Sequence, residues 1–286
     1  MINLLSWNIQ AAKGVDGVTS VDRIARIITQ MGCADVICLQ EVLVTAASDQ
    51  VQQFAALFPD HTPVFGAAID RLDKHGRLQF GNLVLSRLPM LQIVHHKLPQ
   101  PAAPSVKHMP RQAIEVIVAN GDKPLRIVTT HLDFFSEEQR RLQLAYLLAH
   151  HRESQDRYQC PSPISGEAQF APLPETQDSV YCGDFNLAVE SSEYGVIVAD
   201  PTVSNAENSR SYSLLDCWRY LHPDKPHAPT CGIFDSDQWP EGAHCRDYFF
   251  ASSSVASCIK NFQVDVDTDA SDHQPLSISL DEGRGN

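Results

Sequence analysis

The stretch SVYCGDFNL, Ser179–Leu187, reads as a buried strand that ends on a glycine and then sets an acid, Asp184, and an amide, Asn186, two residues apart. Polar groups at the end of an apolar strand cost free energy unless something pairs with them. They either close a turn or face a site. The same construction recurs along the chain. NLLSWNI (3–9) alternates as a strand and carries Asn8 at its end, and DVICLQEV (35–42) is a continuous apolar run that ends on Glu41. LRIVTTHLDF (125–134) delivers His131.

Between these runs the hydrophobic period changes from two to that of a helix. SVDRIARIITQMG (20–32) has Val21, Ile24, Ile27 and Ile28 at helical spacing, with Ser20 as N-cap and Gly32 just past the end. SDQVQQFAALF (48–58) is a second helix. SEEQRRLQLAYLLAHH (136–151) is a third, with Ser136 and Gln139 placed for a capping box. SLLDCWRYL (213–221) reads as a short fourth.

Further strands are read at HTPVFGAA (61–68), LQFGNLVLS (78–86), LQIVHHKL (91–98), RQAIEVIVAN (111–120), RDYFFAS (246–252), SCIKNFQVDV (257–266) and PLSISL (275–280). Many strands are apolar on both faces. Two packed sheets flanked by helices would bury them, whereas one parallel sheet would need more crossover helices than the pattern offers. One domain over 1–286 is expected, with a surface insertion at about 152–178, where the chain turns polar and carries four prolines.

Composition narrows the function. The 286 residues have 43% hydrophobic content, enough for a sizeable core without disulfides. The formal net charge of −13 gives no electrostatic footprint for strong duplex DNA binding. It does not exclude phosphate substrates, since a bound divalent cation inverts the local field. The eight cysteines form no CxxC pair and fit no zinc spacing, and they read as reduced thiols of a cytoplasmic protein. No run approaches the roughly 20 apolar residues of a membrane span, and MINLLSWNIQ lacks the features of a signal peptide.

The polar residues at strand ends are Asn8, Glu41, His131, Asp184, Asn186, Asp247, Asp272 and His273. Taken singly each has an ordinary reading: a turn former, a surface ion pair, a core histidine satisfied by hydrogen bonds. As a set they supply oxygen ligands and two imidazoles. Oxygen ligands select Mg²⁺ or Mn²⁺, and such an ion suits phosphate-ester hydrolysis. A carboxylate can deprotonate water, and a His held by a carboxylate can donate to the phosphoryl group.

Seven motifs in order carry a resemblance: LLSWNIQ, ICLQEV, GNLVLSRLPM, TTHLDF, CGDFNL, RDYFF and SDHQPL. They resemble those of the endonuclease/exonuclease/phosphatase (DNase I-like) superfamily over nearly the whole chain. The resemblance implies a four-layer α/β/β/α sandwich of two packed mixed β-sheets and Mg²⁺- or Mn²⁺-dependent hydrolysis of phosphate esters. It implies metal ligation by Glu41 with Asn8 beside it and by Asp272. Asp184 then orients or activates water, Asn186 binds phosphate, His273 contacts phosphate steadied by Asp247, and His131 is a second catalytic His. Where the superfamily often has Arg-Ile-Asp-Tyr, this chain has Cys245-Arg246-Asp247-Tyr248, which moves the Arg by one position. The expected substrate is a small phosphate ester or a nucleic-acid end. A nuclease is the near alternative, with Arg71, Lys74, Arg77, Lys97, Lys107 and Arg111 as possible groove charges, and a non-catalytic binding relative is the alternative of another class.

Overall fold

Strand β1 (Ile2–Asn8) shows how the sequence is folded. Ile2 and Leu4 point into one apolar cluster, and Leu5 and Trp7 point into another. A strand alternates its side chains between two faces, so a strand apolar on both must be covered on both. The computed structural model describes residues 1–32, 34–121, 123–198, 212 and 214–281. The remaining strands are β2 (Val36–Val44), β3 (Thr62–Asp73), β4 (Gly76–Ser86), β5 (Met90–Lys97), β6 (Gln112–Val118), β7 (Leu125–His131), β8 (Ser179–Asp184), β9 (Leu214–Asp216), β10 (Asp247–Ser252), β11 (Ile259–Val264) and β12 (Leu276–Leu280).

They form two six-stranded mixed sheets, ordered β11-β12-β1-β2-β4-β3 and β5-β6-β7-β8-β10-β9. In each sheet only the central pair is parallel, β1 with β2 and β7 with β8. A parallel pair needs a crossover, usually a helix. The crossovers carry α1 (Val21–Gln30) and α3 (Glu137–Gln159). The inner faces meet in one core that includes Leu4, Cys38, Val84, Val116, Ile127, Cys182, Phe249 and Ile278. Ile24 and Ile28 of α1, with Phe54 of α2 (Gln50–Leu57), cover the first sheet. Leu144 and Leu147 of α3, with Tyr194 of α4 (Ser192–Ile197), cover the second. This is the expected four-layer α/β/β/α sandwich.

Local signals hold with three corrections. Ser20 caps α1, its Oγ accepting from Arg23 N at 3.2 Å, and Gly32 takes φ +104° just past the helix end. Ser136 caps α3 through Gln139 N at 3.2 Å, but the Gln139 side chain donates to Pro101 O and leaves the capping box half made. The third helix runs on to Gln159, so the polar stretch read as insertion from about 152 is helical at its start. The segment read as a fourth helix divides into β9 and the short α5 (Cys217–Leu221), because Leu214 and Asp216 pair with β10. Cys38 and Cys182 are buried free thiols, Cys258 is half-buried, and Cys33 lies outside the described residues. No helix among the described residues is long and apolar enough to cross a membrane.

Candidate active site

Strand parity brings most of the expected residues to one rim. In β7, Leu125 and Ile127 face the inter-sheet core, so His131 continues on that face. In β8, Val180 and Cys182 do the same for Asp184, and in β10, Phe249 and Ala251 do so for Asp247. The register sets His131 and Asp247 on either side of Asp184. From the opposite sheet, Ile2 and Leu4 place Asn8 on the inner face. Below it, Gln40 ties the sheets together by donating from Nε2 to Thr129 Oγ1 at 3.0 Å.

Glu41 breaks the parity. Ile37 and Leu39 face the α1 side, and an unbroken strand would send Glu41 there too. The β2–β4 register slips between Leu39 and Val42, and Glu41 takes φ +61°. A bulge of this kind re-aims a side chain. Here it turns the carboxylate to the rim, where Oε1 accepts from Asn8 Nδ2 at 3.1 Å and stays partly open to solvent. Asn186 has the same left-handed backbone, φ +53°. Its N–H donates to Asp184 Oδ1 at 2.9 Å and its Nδ2 to Leu132 O at 3.0 Å, while its buried Oδ1 has no hydrogen-bond partner among the described residues.

Asp184 Oδ2 is the hub. It accepts from Asn8 Nδ2 at 3.0 Å and lies 3.4 Å from His131 Nε2 and 3.7 Å from His273 Nε2. The other nitrogen of His273 is held by Asp247 Oδ2 at 2.8 Å, and Thr230 Oγ1 donates to the same oxygen at 2.6 Å. His131 Nδ1 lies 3.8 Å from Glu41 Oε1. Asp272 receives Gln238 Nε2 at 2.8 Å, and Ser271 Oγ donates to Asn8 O at 2.8 Å and lies 3.2 Å from Asp272 Oδ1. All eight expected residues therefore meet at this rim.

The two imidazoles are driven apart. Burial pushes His131 well below the ordinary range, and the charges of Arg111 and His273 add to it, so this ring is neutral. Burial also works against charge on His273, but Asp247, Asp184 and Asp272 outweigh it and keep this ring protonated. Burial and the charge of Asp272 push Glu41 up to about 7. Burial, offset in part by His273, leaves Asp184 raised to about 6. Asp272 is raised by burial as well. The rim thus holds more negative charge than its own cations neutralise.

Sequence reasoning left out several neighbours. Arg111, named only among possible groove charges and not among the site residues, is 6% exposed, lies 3.8 Å from Asp133, and feels the charges of Glu41 and Asp184. Its one visible signal is an Arg abutting a strand, β6, that is buried throughout. Thr230, Gln238 and Trp239 come from a loop with no sequence period, and the Trp239 ring lies edge-on to His273 at 5.7 Å. Arg246, displaced by one position, stands just before β10 and still reaches the rim, donating to Asn186 O at 3.2 Å.

Comparison with known proteins places this geometry. The sequence model of the Endonuclease/Exonuclease/phosphatase family matches residues 5–273. No curated protein sequence matches. Among solved structures, an endonuclease/exonuclease/phosphatase from Beutenbergia cavernae is 23% identical, with a TM-score of 0.65, over 98% of this chain and 72% of that one. A mannosyl-6-phosphatase from Bacteroides thetaiotaomicron is 16% identical, with a TM-score of 0.67, over 98% and 99% of the two chains. A 3′ phosphatase from Neisseria, bound to a product DNA hairpin, is 16% identical, with a TM-score of 0.62, over 98% and 100%. At these identities the likeness is one of fold.

Proposed function

The chain belongs to the endonuclease/exonuclease/phosphatase family, and from that premise we propose that it is a divalent-metal-dependent phosphoesterase that hydrolyses a phosphodiester or phosphomonoester by attack of water on phosphorus. The reading rests on one observation. A single carboxylate oxygen, Asp184 Oδ2, has an amide and two imidazoles within 3.7 Å, one imidazole pushed down by burial and the other pushed up by the surrounding carboxylates.

The residues fit a hard divalent cation. Glu41 and Asp272 are both raised by burial, and Asp272 raises Glu41 further. A cation at their oxygens would relieve that repulsion. Glu41, Asp272 and Asn8 would hold Mg²⁺ or Mn²⁺. Bound there, it would neutralise charge that grows on a phosphoryl oxygen.

The side chains divide the remaining work. Asp184, with a pKa of about 6, is a carboxylate able to orient water and take its proton as the new P–O bond forms and the ester P–O bond breaks. Protonated His273, oriented by Asp247, donates from Nε2 toward the phosphoryl group. Neutral His131 lies between Asp184 and Glu41 and can hold the water without adding another cation. Asn186 keeps one N–H for phosphate, and Arg111 supplies fixed positive charge. Hydrolysis of bis-p-nitrophenyl phosphate and p-nitrophenyl phosphate with Mg²⁺ or Mn²⁺ tests this. No turnover above a Glu41→Ala control would overturn it.

A nucleic-acid end is favoured over a sugar phosphate by one feature. Trp239 touches Phe134 at 5.4 Å, and Phe134 touches Phe135, which is 52% exposed. This aromatic row leads from His273 to the surface, and a base has a face to stack on such rings. A 3′- or 5′-phosphorylated oligonucleotide should then be hydrolysed faster than a hexose phosphate, with the preference lost in Phe135→Ala.

A further inference from the structure

Away from the rim, on the outer face of the second sheet, Glu115 has a second set of convergent ligands. Its neighbours Ile114 and Val116 face the inter-sheet core, so Glu115 points the other way, under α3. Its Oε2 lies 2.8 Å from Nε2 of His96, on β5, and 3.3 Å from Nε2 of His150, on α3. The three ligand atoms lie within 4.8 Å of one another. Ligands at zinc–nitrogen and zinc–oxygen bond lengths on a tetrahedron stand about 3.3 Å apart.

The surroundings hold these atoms in place. His96 Nδ1 is 3.2 Å from the Tyr146 hydroxyl, which leaves Nε2 for the carboxylate. Glu115 Oε1 is taken by Arg126 Nε at 2.8 Å, and Arg126 also donates to Glu175. Metal ligands are commonly oriented by such outer partners. Burial would raise Glu115, but His96, His150 and Arg126 outweigh it and hold the acid at about 2. Burial lowers His150, with Glu115 opposing. An ionised carboxylate and a neutral imidazole are the ligating forms. A divalent ion between the three atoms would take one donor from each of the three elements that meet here, β5, β6 and α3.

We infer that His96, Glu115 and His150 form a transition-metal site of the zinc class, completed by water, that ties the edge strand β5 and β6 to α3. Two imidazoles select zinc over magnesium. The site is independent of the phosphoesterase reading, since it uses none of the residues at the rim.

The test strips the protein with chelator and dialyses it against Zn²⁺ with millimolar Mg²⁺ present to occupy oxygen sites. Zinc content and thermal midpoint are then measured for wild type, His150→Ala, His96→Gln and Glu41→Gln. Wild type and Glu41→Gln should each keep one zinc that both His variants lose. Zinc at about a hundredfold its Kd should raise the midpoint by roughly 5 °C in the first two and not in the His variants. His150→Ala keeps a strong helix former on α3, and His96→Gln, which leaves α3 intact, guards against a loss that comes only from removing the largely buried His150 ring. Unchanged zinc content in both His variants, zinc lost on Glu41→Gln instead, or no retained zinc in wild type would each overturn the site.

Discussion

Asp184 is one carboxylate surrounded by Asn8, His131, His273 and the Asn186 backbone, and its role separates from that of Glu41 in what each loses on mutation. Asp184→Asn keeps the size of the side chain but removes the proposed base and turns one accepting oxygen into a donor that faces Asn8 Nδ2 or the Asn186 N–H. Its kcat should fall by about a hundred- to ten-thousandfold, more than any accompanying fall in the midpoint accounts for. Glu41→Gln should instead weaken the response to Mg²⁺, read as a rise in the Mg²⁺ concentration for half-maximal activity.

The two acids also set a pH dependence. Glu41 at about 7 and Asp184 at about 6 lie above the 4.5 and 3.8 of free side chains. The folded, metal-free protein therefore holds more protons than the unfolded chain in the window from about 4 to 7, and this contribution to stability is lost as pH rises through it. A cation needs the ionised forms, so its stabilising effect grows over the same window. Thermal midpoints at pH 5 and pH 8, with and without Mg²⁺, should show the Mg²⁺ gain larger at the higher pH and reduced in Glu41→Gln. An equal gain at both values would contradict this account.

At the scale of elements, the β2 bulge and the β8 terminus do what periodicity cannot show. The motif ICLQEV marks Glu41 as a polar residue after an apolar run, but its parity sends it toward α1. Only the register slip and the positive φ bring it to the rim. In the sequence Gly183 is only the glycine on which a buried strand ends. In the fold its φ is +131°, and a Cβ there would stand 2.0 Å from Thr130 O, on the strand that presents His131. Gly183→Ala should lower both stability and activity, since it must part β7 from β8. Urea unfolding beside the kinetics would detect it. Ser136→Ala should cost about 1 kcal/mol through loss of the α3 N-cap, with little effect on kcat.

At the scale of the molecule, the sandwich places two parallel pairs back to back with their ends at one rim. The whole chain carries a formal net charge of −13, and duplex DNA should bind weakly. Mobility-shift titration with a blunt duplex at near-physiological salt should give no complex at micromolar protein. Tight binding would mean that Arg111 and its neighbours override the global charge.

What the sequence determined by itself was pattern: apolar runs too two-sided for a single sheet, helices at the crossovers, Ser20 and Ser136 as caps, and acids, amides and imidazoles placed where strands end. These follow from residue type and spacing along the chain. Tertiary structure alone decided the orientation of Glu41, the burial of Arg111, the opposite pKa shifts of His131 and His273, and the convergence of His96, Glu115 and His150. Each of these depends on register and on fields from distant segments, and a linear spacing carries neither.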